Sequence, residues 1–326
     1  MVATRPIFRG ALMKFPRYPI SEPDAHTQAP TPGFPEHWQR SLCFQTDRFS
    51  AYFVSPDQFR SLAPWVGAVR SLTYRQLSPY SSHTIDLDGR DAHYWHLLVW
   101  DRQDDALAGS LRMALSGWHP DGRDGNHSYL EHAFPGLDRH IRGHQFPYAE
   151  IGRTFVASPY QRTSLVLMVL LQAMASIPLA TGHQHVFGLV SYNQFAHSDL
   201  LNRHFLAALL APPFRDHLSA PPPRYPITGL PDCRDVQPAS TLLDLEHQLS
   251  ERYQEPFQVP VLLRRYHKFG NARVMGLSLA KDFNLITEIL MHCDLQQLSP
   301  LQQRIFVVEP LIPVWDELVS PGDIQC

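Results

Sequence analysis

Between Ala149 and Met174 the chain changes period twice. Glu150 to Ala157 alternates apolar and polar positions and places β-branched or aromatic residues at Ile151, Thr154, Phe155 and Val156, which predicts a strand. Ser158 to Ser164 breaks the alternation. Pro159 cannot continue a central strand, and Gln161, Arg162, Thr163 and Ser164 supply donors and N-cap candidates ahead of the apolar run Leu165 to Leu171, where a helix is predicted to begin. A strand entering a helix N-terminus leaves backbone N–H groups unpaired beside a partial positive charge, and Arg162 adds a full one. The turn is a candidate anion site; an ordinary strand-turn-helix connection with a solvated arginine is the alternative.

The remaining elements are placed around this one. Phe49 to Val54 alternates as a first strand. Ser55-Pro56-Asp57 then signals a helix start, and Phe59, Leu62, Trp65, Val66, Val69 and Leu72 recur at helical spacing through Tyr74. His96 to Asp101 and Leu107 to Ala114 read as antiparallel partners joined through Asp104-Asp105, and His185 to Val190 as a further strand. Phe195 to Leu218 and Thr241 to Tyr253 read as helical, with a loop over Pro221 to Ser240. Three segments are expected: an aperiodic N-terminal arm over 1–48, an α/β domain over 49–295 with a proline-rich insertion at about 212–240, and a C-terminal extension over 296–326.

Composition narrows the function classes. With 326 residues, 44% of them hydrophobic, the chain can bury a large core, and Lys+Arg 28 against Asp+Glu 31 gives no bulk field that would mark a nucleic-acid binder. The four cysteines, Cys43, Cys233, Cys293 and Cys326, show no metal or disulfide spacing. His93-x-x-His96 and His183-x-His185 lack a third ligand at a recognisable spacing, so no metal site is expected. The N-terminal residues carry Arg5, Arg9, Lys14 and Arg17 where a signal sequence would be apolar, and Leu165 to Ala180 is too interrupted for a bilayer span. Walker, dinucleotide-binding and G-x-S-x-G patterns are absent from the sequence.

The stretch A-E-I-G-R-T-F-V-A-S-P-Y-Q-R-T-S-L resembles the central strand, pyrophosphate loop and helix of the GNAT acyltransferase fold. E-I-G-R-T-F-V is similar to the Glu-x-x-Arg-x-x-Val strand of acyl-homoserine-lactone synthases, N-acyl amino acid synthases and ornithine-lipid (hemolysin-like) N-acyltransferases. V-R-S-L-T-Y, with Arg70 and Tyr74, resembles their Leu-Arg-x-x-Val-Phe segment. Asp88-x-x-Asp91 before an apolar strand, Arg112 in the third strand and Leu130-x-x-x-Phe134-Pro135 resemble further family positions. V-P-V-L-L-R-R-Y-H-K-F-G-N-A, from Val259, is similar to a motif of the lipid N-acyltransferase and N-acyl amino acid synthase group. The usual loop glycines are replaced near Thr163 and Ser164, a feature of superfamily members that use acyl carrier protein rather than coenzyme A.

The resemblance implies a mixed, mostly antiparallel GNAT-like sheet flanked by helices. It also implies direct transfer of a fatty acyl group from an acyl carrier protein thioester to the amine of an amino acid or a derivative. Coenzyme A is the alternative carrier, no resident cofactor is expected, and the setting is cytoplasmic, with peripheral contact at the inner membrane face through a lipid product. Phe155, Val156, Gln161, Arg162, Thr163 and Ser164 are the expected donor-binding residues, and Phe187 and Leu189 the acyl-pocket walls. Glu150 and Arg153 have opposite parity on a regular strand and cannot form one pair without a bulge. Glu150 is therefore expected to take the amine's proton, and Arg153 to bind a substrate carboxylate or to pair with Asp88 or Asp91. Arg70 and Tyr74 are assigned to substrate. Asp88, Asp91 and Arg112 are expected to read the acceptor's ammonium and carboxylate, or else to form an internal salt bridge. Rival readings are a signal synthase using S-adenosylmethionine, an inactive scaffold that binds acyl carrier protein, and a glycerolipid-type acyltransferase built on His83-x-x-x-x-Asp88.

Overall fold

A computed structural model describes residues 36–74, 85–117, 128–144, 146–232, 238–281, 285–309 and 311. Eight strands form one mixed sheet in the order β1-β2-β3-β4-β5-β6-β8-β7. They are β1 (Leu42–Gln45), β2 (Phe49–Val54), β3 (Trp95–Asp101), β4 (Ala106–Leu115), β5 (Tyr148–Val156), β6 (His185–Tyr192), β7 (Arg273–Ala280) and β8 (Ile286–Asp294). Every pairing is antiparallel except β5 with β6. That parallel pair requires a crossover, and the buried helix α5 (Leu165–Ala180) supplies it.

Alternation along the strands sorts side chains onto two faces. Ala149, Ile151, Val186, Val190, Ile289 and Met291 join the main core with α5, whereas Tyr148, Phe187 and Leu290 join a second cluster with the short helices α3 (Tyr129–Ala133) and α4 (Leu137–Arg142). The helix expected from Ser55 to Tyr74 is two helices, α1 (Pro56–Arg60) and α2 (Ala63–Tyr74). α1 is opened by a capping box between Ser55 and Gln58 and closed at Ser61. The helix expected through Leu218 ends early: α6 spans Asp199–Leu209, because Pro212 and Pro213 cannot donate helical hydrogen bonds. α7 (Leu242–Tyr253) and α8 (Val261–Gly270) follow the proline-rich loop.

The sheet begins before the segment boundary expected at Phe49. β1 pairs with β2, and Trp38 is fully buried ahead of it. Residues 1–35 of the expected arm lie outside the described residues, as do 310 and 312–326 of the expected extension. Within that extension, α9 (Pro300–Phe306) is held against α5: Gln172 donates to the Ile305 carbonyl at 3.0 Å, and the Val308 N–H donates to Ser176 Oγ at 2.8 Å. Among the described residues no helix is long and apolar enough to cross a membrane.

Candidate active site

β5 is bound differently along its two edges. On the β4 side, Gly152 faces Arg112 and Phe155 faces Ser110, so Arg153 and Thr154 together stand opposite Leu111 alone. This is a β-bulge, and Arg153 adopts φ +52° within it. On the β6 side, pairing runs only from Tyr148–His185 to Ile151–Gly188, although β5 continues to Val156 and β6 to Tyr192. Gly188 marks the last contact, where a Cβ would lie 2.9 Å from the Ile151 carbonyl oxygen. Beyond it the strands part.

The opening is a cavity of about 680 Å³. Ile151 to Val156 form one wall, Leu189 and Ser191 to Asn193 the other, and Leu167 and Leu262 add apolar surface. The polar turn Gln161 to Ser164 lines it at the start of α5, as does Arg265 of α8. Ser164, the α5 N-cap, makes no side-chain cap bond, so the first-turn N–H groups are not side-chain capped there. Among the described residues neither the Arg162 nor the Arg265 side chain has an ion-pair or hydrogen-bond partner.

On the α3 side of the sheet the cavity is lined by Arg112, Tyr129, Leu130, Glu150 and Glu288. Glu150 is buried and its carboxylate is occupied. Oε1 accepts from Tyr94 Oη at 2.6 Å and from the Tyr129 and Leu130 N–H groups at 3.1 Å each, and Oε2 accepts from Ser128 Oγ at 2.6 Å. These bonds fasten the start of α3 to β5. Glu288 of β8, also buried, accepts from Tyr129 Oη at 2.8 Å.

The bulge brings Arg153 to the side of the sheet that carries Arg112, and there three arginines and three aspartates close a ring. Arg70 of α2 contacts Asp86 at 3.3 Å and Asp91 at 2.9 Å. Arg112 of β4 contacts Asp91 at 3.2 Å and Asp88 at 2.8 Å. Arg153 contacts Asp88 at 3.1 Å and Asp86 at 2.6 Å. Each guanidinium bridges two carboxylates and each carboxylate two guanidiniums, so the formal charges cancel in the sheet's interior.

Burial would raise the Asp88 carboxyl, but Arg112 and Arg153 outweigh it and hold the group at about 2. Burial is likewise overcome by Arg70 and Arg112 at Asp91, which lies well below the usual carboxylate range. Arg112 is 1% exposed, and its guanidinium lies 4.5 Å from the Tyr94 ring centroid and 5.8 Å from that of Tyr129.

Of the two arrangements expected for Asp88, Asp91 and Arg112, the structure holds the internal salt bridge, and Arg70 belongs to it: these groups neutralise one another. Arg153 takes the structural option, with Asp86 as a further partner. Tyr74 lines the cavity but donates to the Thr154 carbonyl at 3.0 Å, fixing the free part of β5. Phe187 lies level with Glu150, before the strands part, and packs beneath α3 and α4, outside the lining of the cavity. Leu189, Phe155, Val156 and the Gln161 to Ser164 turn do line the cavity. His83 lies outside the described residues, and its partner in that rival reading, Asp88, belongs to the ring.

Sequence reasoning missed Asp86, Tyr129, Glu288 and His197, and took Arg265 only as part of a basic cluster. A lone glutamate in the apolar run I-T-E-I-L-M was a usable signal for Glu288. Tyr129 and His197 gave no local signal.

Residues 69–171 match the model of the acetyltransferase (GNAT) domain. The chain thus carries a GNAT domain and is an acyltransferase. No curated protein matches it in sequence. Solved structures with a related chain path include the AHL synthase LasI, at 9% identity and a TM-score of 0.41, covering 81% of this chain and 98% of that one. The loading GNATL domain of CurA from Lyngbya majuscula matches at 14% and 0.39, covering 77% and 99%. FeeM, an N-acyl amino acid synthase from uncultured soil microbes, matches at 13% and 0.38, covering 79% and 100%. At these scores the likenesses carry no argument about substrate.

Proposed function

We propose that the protein transfers a fatty acyl group from the phosphopantetheine thioester of an acyl carrier protein to the amine of an amino acid or amino-acid-derived acceptor. The observation that supports this is the parting of β5 from β6 into a cavity of about 680 Å³ that passes between the two faces of the sheet. A thioester arm needs an extended backbone edge to lie along, donors for its carbonyl oxygen, an anion site for its phosphate and an apolar slot for its chain. The edge of β5 beyond Ile151 offers backbone N–H groups where the β6 ladder has ended. Arg162 and Arg265 face one cavity beside the N-terminus of the 16-residue α5 and are the phosphate ligands in this reading. Phe155, Val156, Leu167 and Leu189 receive the chain.

The acceptor enters from the α3 side, where Glu288 and Tyr129 supply polar contacts for an ammonium. Attack is direct: the amine nitrogen bonds to the carbonyl carbon and the C–S bond breaks. Carrier protein is favoured over coenzyme A because the loop offers side-chain rather than glycine-backbone contacts to phosphate. Thiol release measured with acyl carrier protein and acyl-coenzyme A donors across amino acids and matched simple amines tests the reading, with the amide identified by mass spectrometry. Equal catalytic efficiency with both donors removes the carrier-protein assignment, and release independent of any amine removes the N-acyl assignment.

A further inference from the structure

Forming an amide from an ammonium releases a proton, and the cavity must contain a group able to take it. Arginines cannot. Arg112 and Arg153 are locked in the ring, and the Glu150 oxygens already accept four hydrogen bonds. On the loop that leaves β6 at the open end of the cavity stands His197, which lines the cavity. Its Nδ1 lies 3.0 Å from Glu255 Oε1. The Ser198 N–H also donates to both Glu255 oxygens at 3.3 Å, and Phe257 meets the imidazole edge to face with centroids 5.0 Å apart.

Burial would raise the Glu255 carboxyl, but the bonds from His197 and Ser198 lower it, so the carboxylate accepts and Nδ1 carries the hydrogen. In the neutral imidazole the other ring nitrogen, Nε2, holds the lone pair, and among the described residues it has no hydrogen-bond partner. Fifty-eight residues of sequence separate the two members of this pair.

We propose that His197, oriented by Glu255, is the general base of the transfer. This rests on the acyl-transfer reading given above. His197 Nε2 takes one proton from the acceptor ammonium. The neutral amine attacks the thioester carbonyl and forms the C–N bond, and the tetrahedral intermediate carries a second excess proton on nitrogen. Collapse breaks the C–S bond; that second proton goes to the departing thiolate, and the imidazolium returns the first to solvent. Glu255 is a positioning residue that fixes the tautomer.

The test uses the full chain with acyl carrier protein donor and an amine acceptor. His197→Ala is expected to lower kcat by about 10²–10⁴-fold with little change in donor KM, and added imidazole is expected to restore part of it. Hydroxylamine, a nucleophile already neutral near pH 7, should show a much smaller deficit. Glu255→Gln should lower kcat at unchanged melting temperature, and it decides the matter if His197→Ala does not fold. A kcat within about threefold of wild type, or a loss that imidazole leaves untouched and that is equal for hydroxylamine, overturns the assignment. Comparable loss in Glu288→Gln together with full activity in His197→Ala moves the base to Glu288. Wild-type protein without amine-dependent thiol release refutes the transfer reading itself, whereas active wild type with equally active His197→Ala refutes only the base.

Discussion

Replacing Asp88 by Asn removes one negative charge from the arginine–aspartate ring while keeping an oxygen that can still accept from the Arg90 and Asp91 N–H groups, at 2.9 and 3.2 Å in the native protein. Two guanidiniums, Arg112 and Arg153, then share one fewer carboxylate in a setting where Arg112 is 1% exposed. The group is held at about 2 against an ordinary 3.8, which by linkage corresponds to about 2 kcal/mol of stability at neutral pH. Leaving buried charge unpaired sets the upper figure, about 3–5 kcal/mol. A loss of about 2–4 kcal/mol is therefore expected in urea unfolding at pH 7.

The sign of the pH dependence is fixed by the depressed value. The stabilisation is complete above the unfolded carboxylate range near ~4 and fades as pH falls through about 2. The gap between wild type and Asp88→Asn should narrow steadily below about pH 4, because acid protonates the native aspartate as well. A gap that stays constant from neutral to acid pH, or one below about 0.5 kcal/mol, refutes the ring as a stabilising unit. A changed acceptor KM with unchanged stability would instead return Asp88 to substrate binding.

Arg112→Lys keeps the charge, but Nη1, which meets both Asp88 and Asp91, is held in place by a planar guanidinium lying over the Tyr94 ring that an ammonium cannot reproduce, so the change should lower the melting temperature without altering the ratio of rates with amino acids and simple amines. Glu150→Gln should cost about 1.5–3 kcal/mol and speed hydrogen exchange at the Tyr129 and Leu130 amides; unchanged protection there would remove the anchoring role. Arg162→Ala combined with Arg265→Ala should raise the KM for a phosphopantetheine donor by about tenfold or more at near-constant kcat, and an unchanged KM would place the phosphate elsewhere. Leu189→Trp should shorten the longest acyl chain accepted, checked by competition between donors of different length.

The strand, turn and helix from Tyr148 to Ala180 were legible because each carries a local period, and the proline at 159 punctuates them. The break between α1 and α2 was not, since Leu62 keeps the apolar spacing and only the cap geometry at Ser61 reveals the end. Parity puts Glu150 and Arg153 on opposite faces of a regular strand, and the bulge removes that premise: both stand on the Arg112 side, with different partners. The bulge brings Arg153 round to the Arg112 side, while Glu150 is committed to α3. The ring was half visible as Asp88 and Asp91 beside Arg112. That these groups satisfy one another instead of a ligand depends on three-dimensional closure through Arg70, Arg153 and Asp86, which no spacing in the chain encodes. Phe187 was assigned to the cavity because it is apolar and near; the depth at which β5 and β6 part decides otherwise.

The asymmetry of β5 separates what must stay constant from what can drift. Its β4 edge is clamped through the bulge to a closed ring of six charges, so a single change there leaves two neighbours short of a partner. Its opposite edge touches β6 for only four residues and then faces open space, bordered by side chains such as Leu189 that answer to no network. New chain-length preferences can therefore arise by single substitutions along the open edge while the clamped edge keeps the reacting backbone in place, which gives the scaffold a ready route to diversify its substrates without rebuilding its centre.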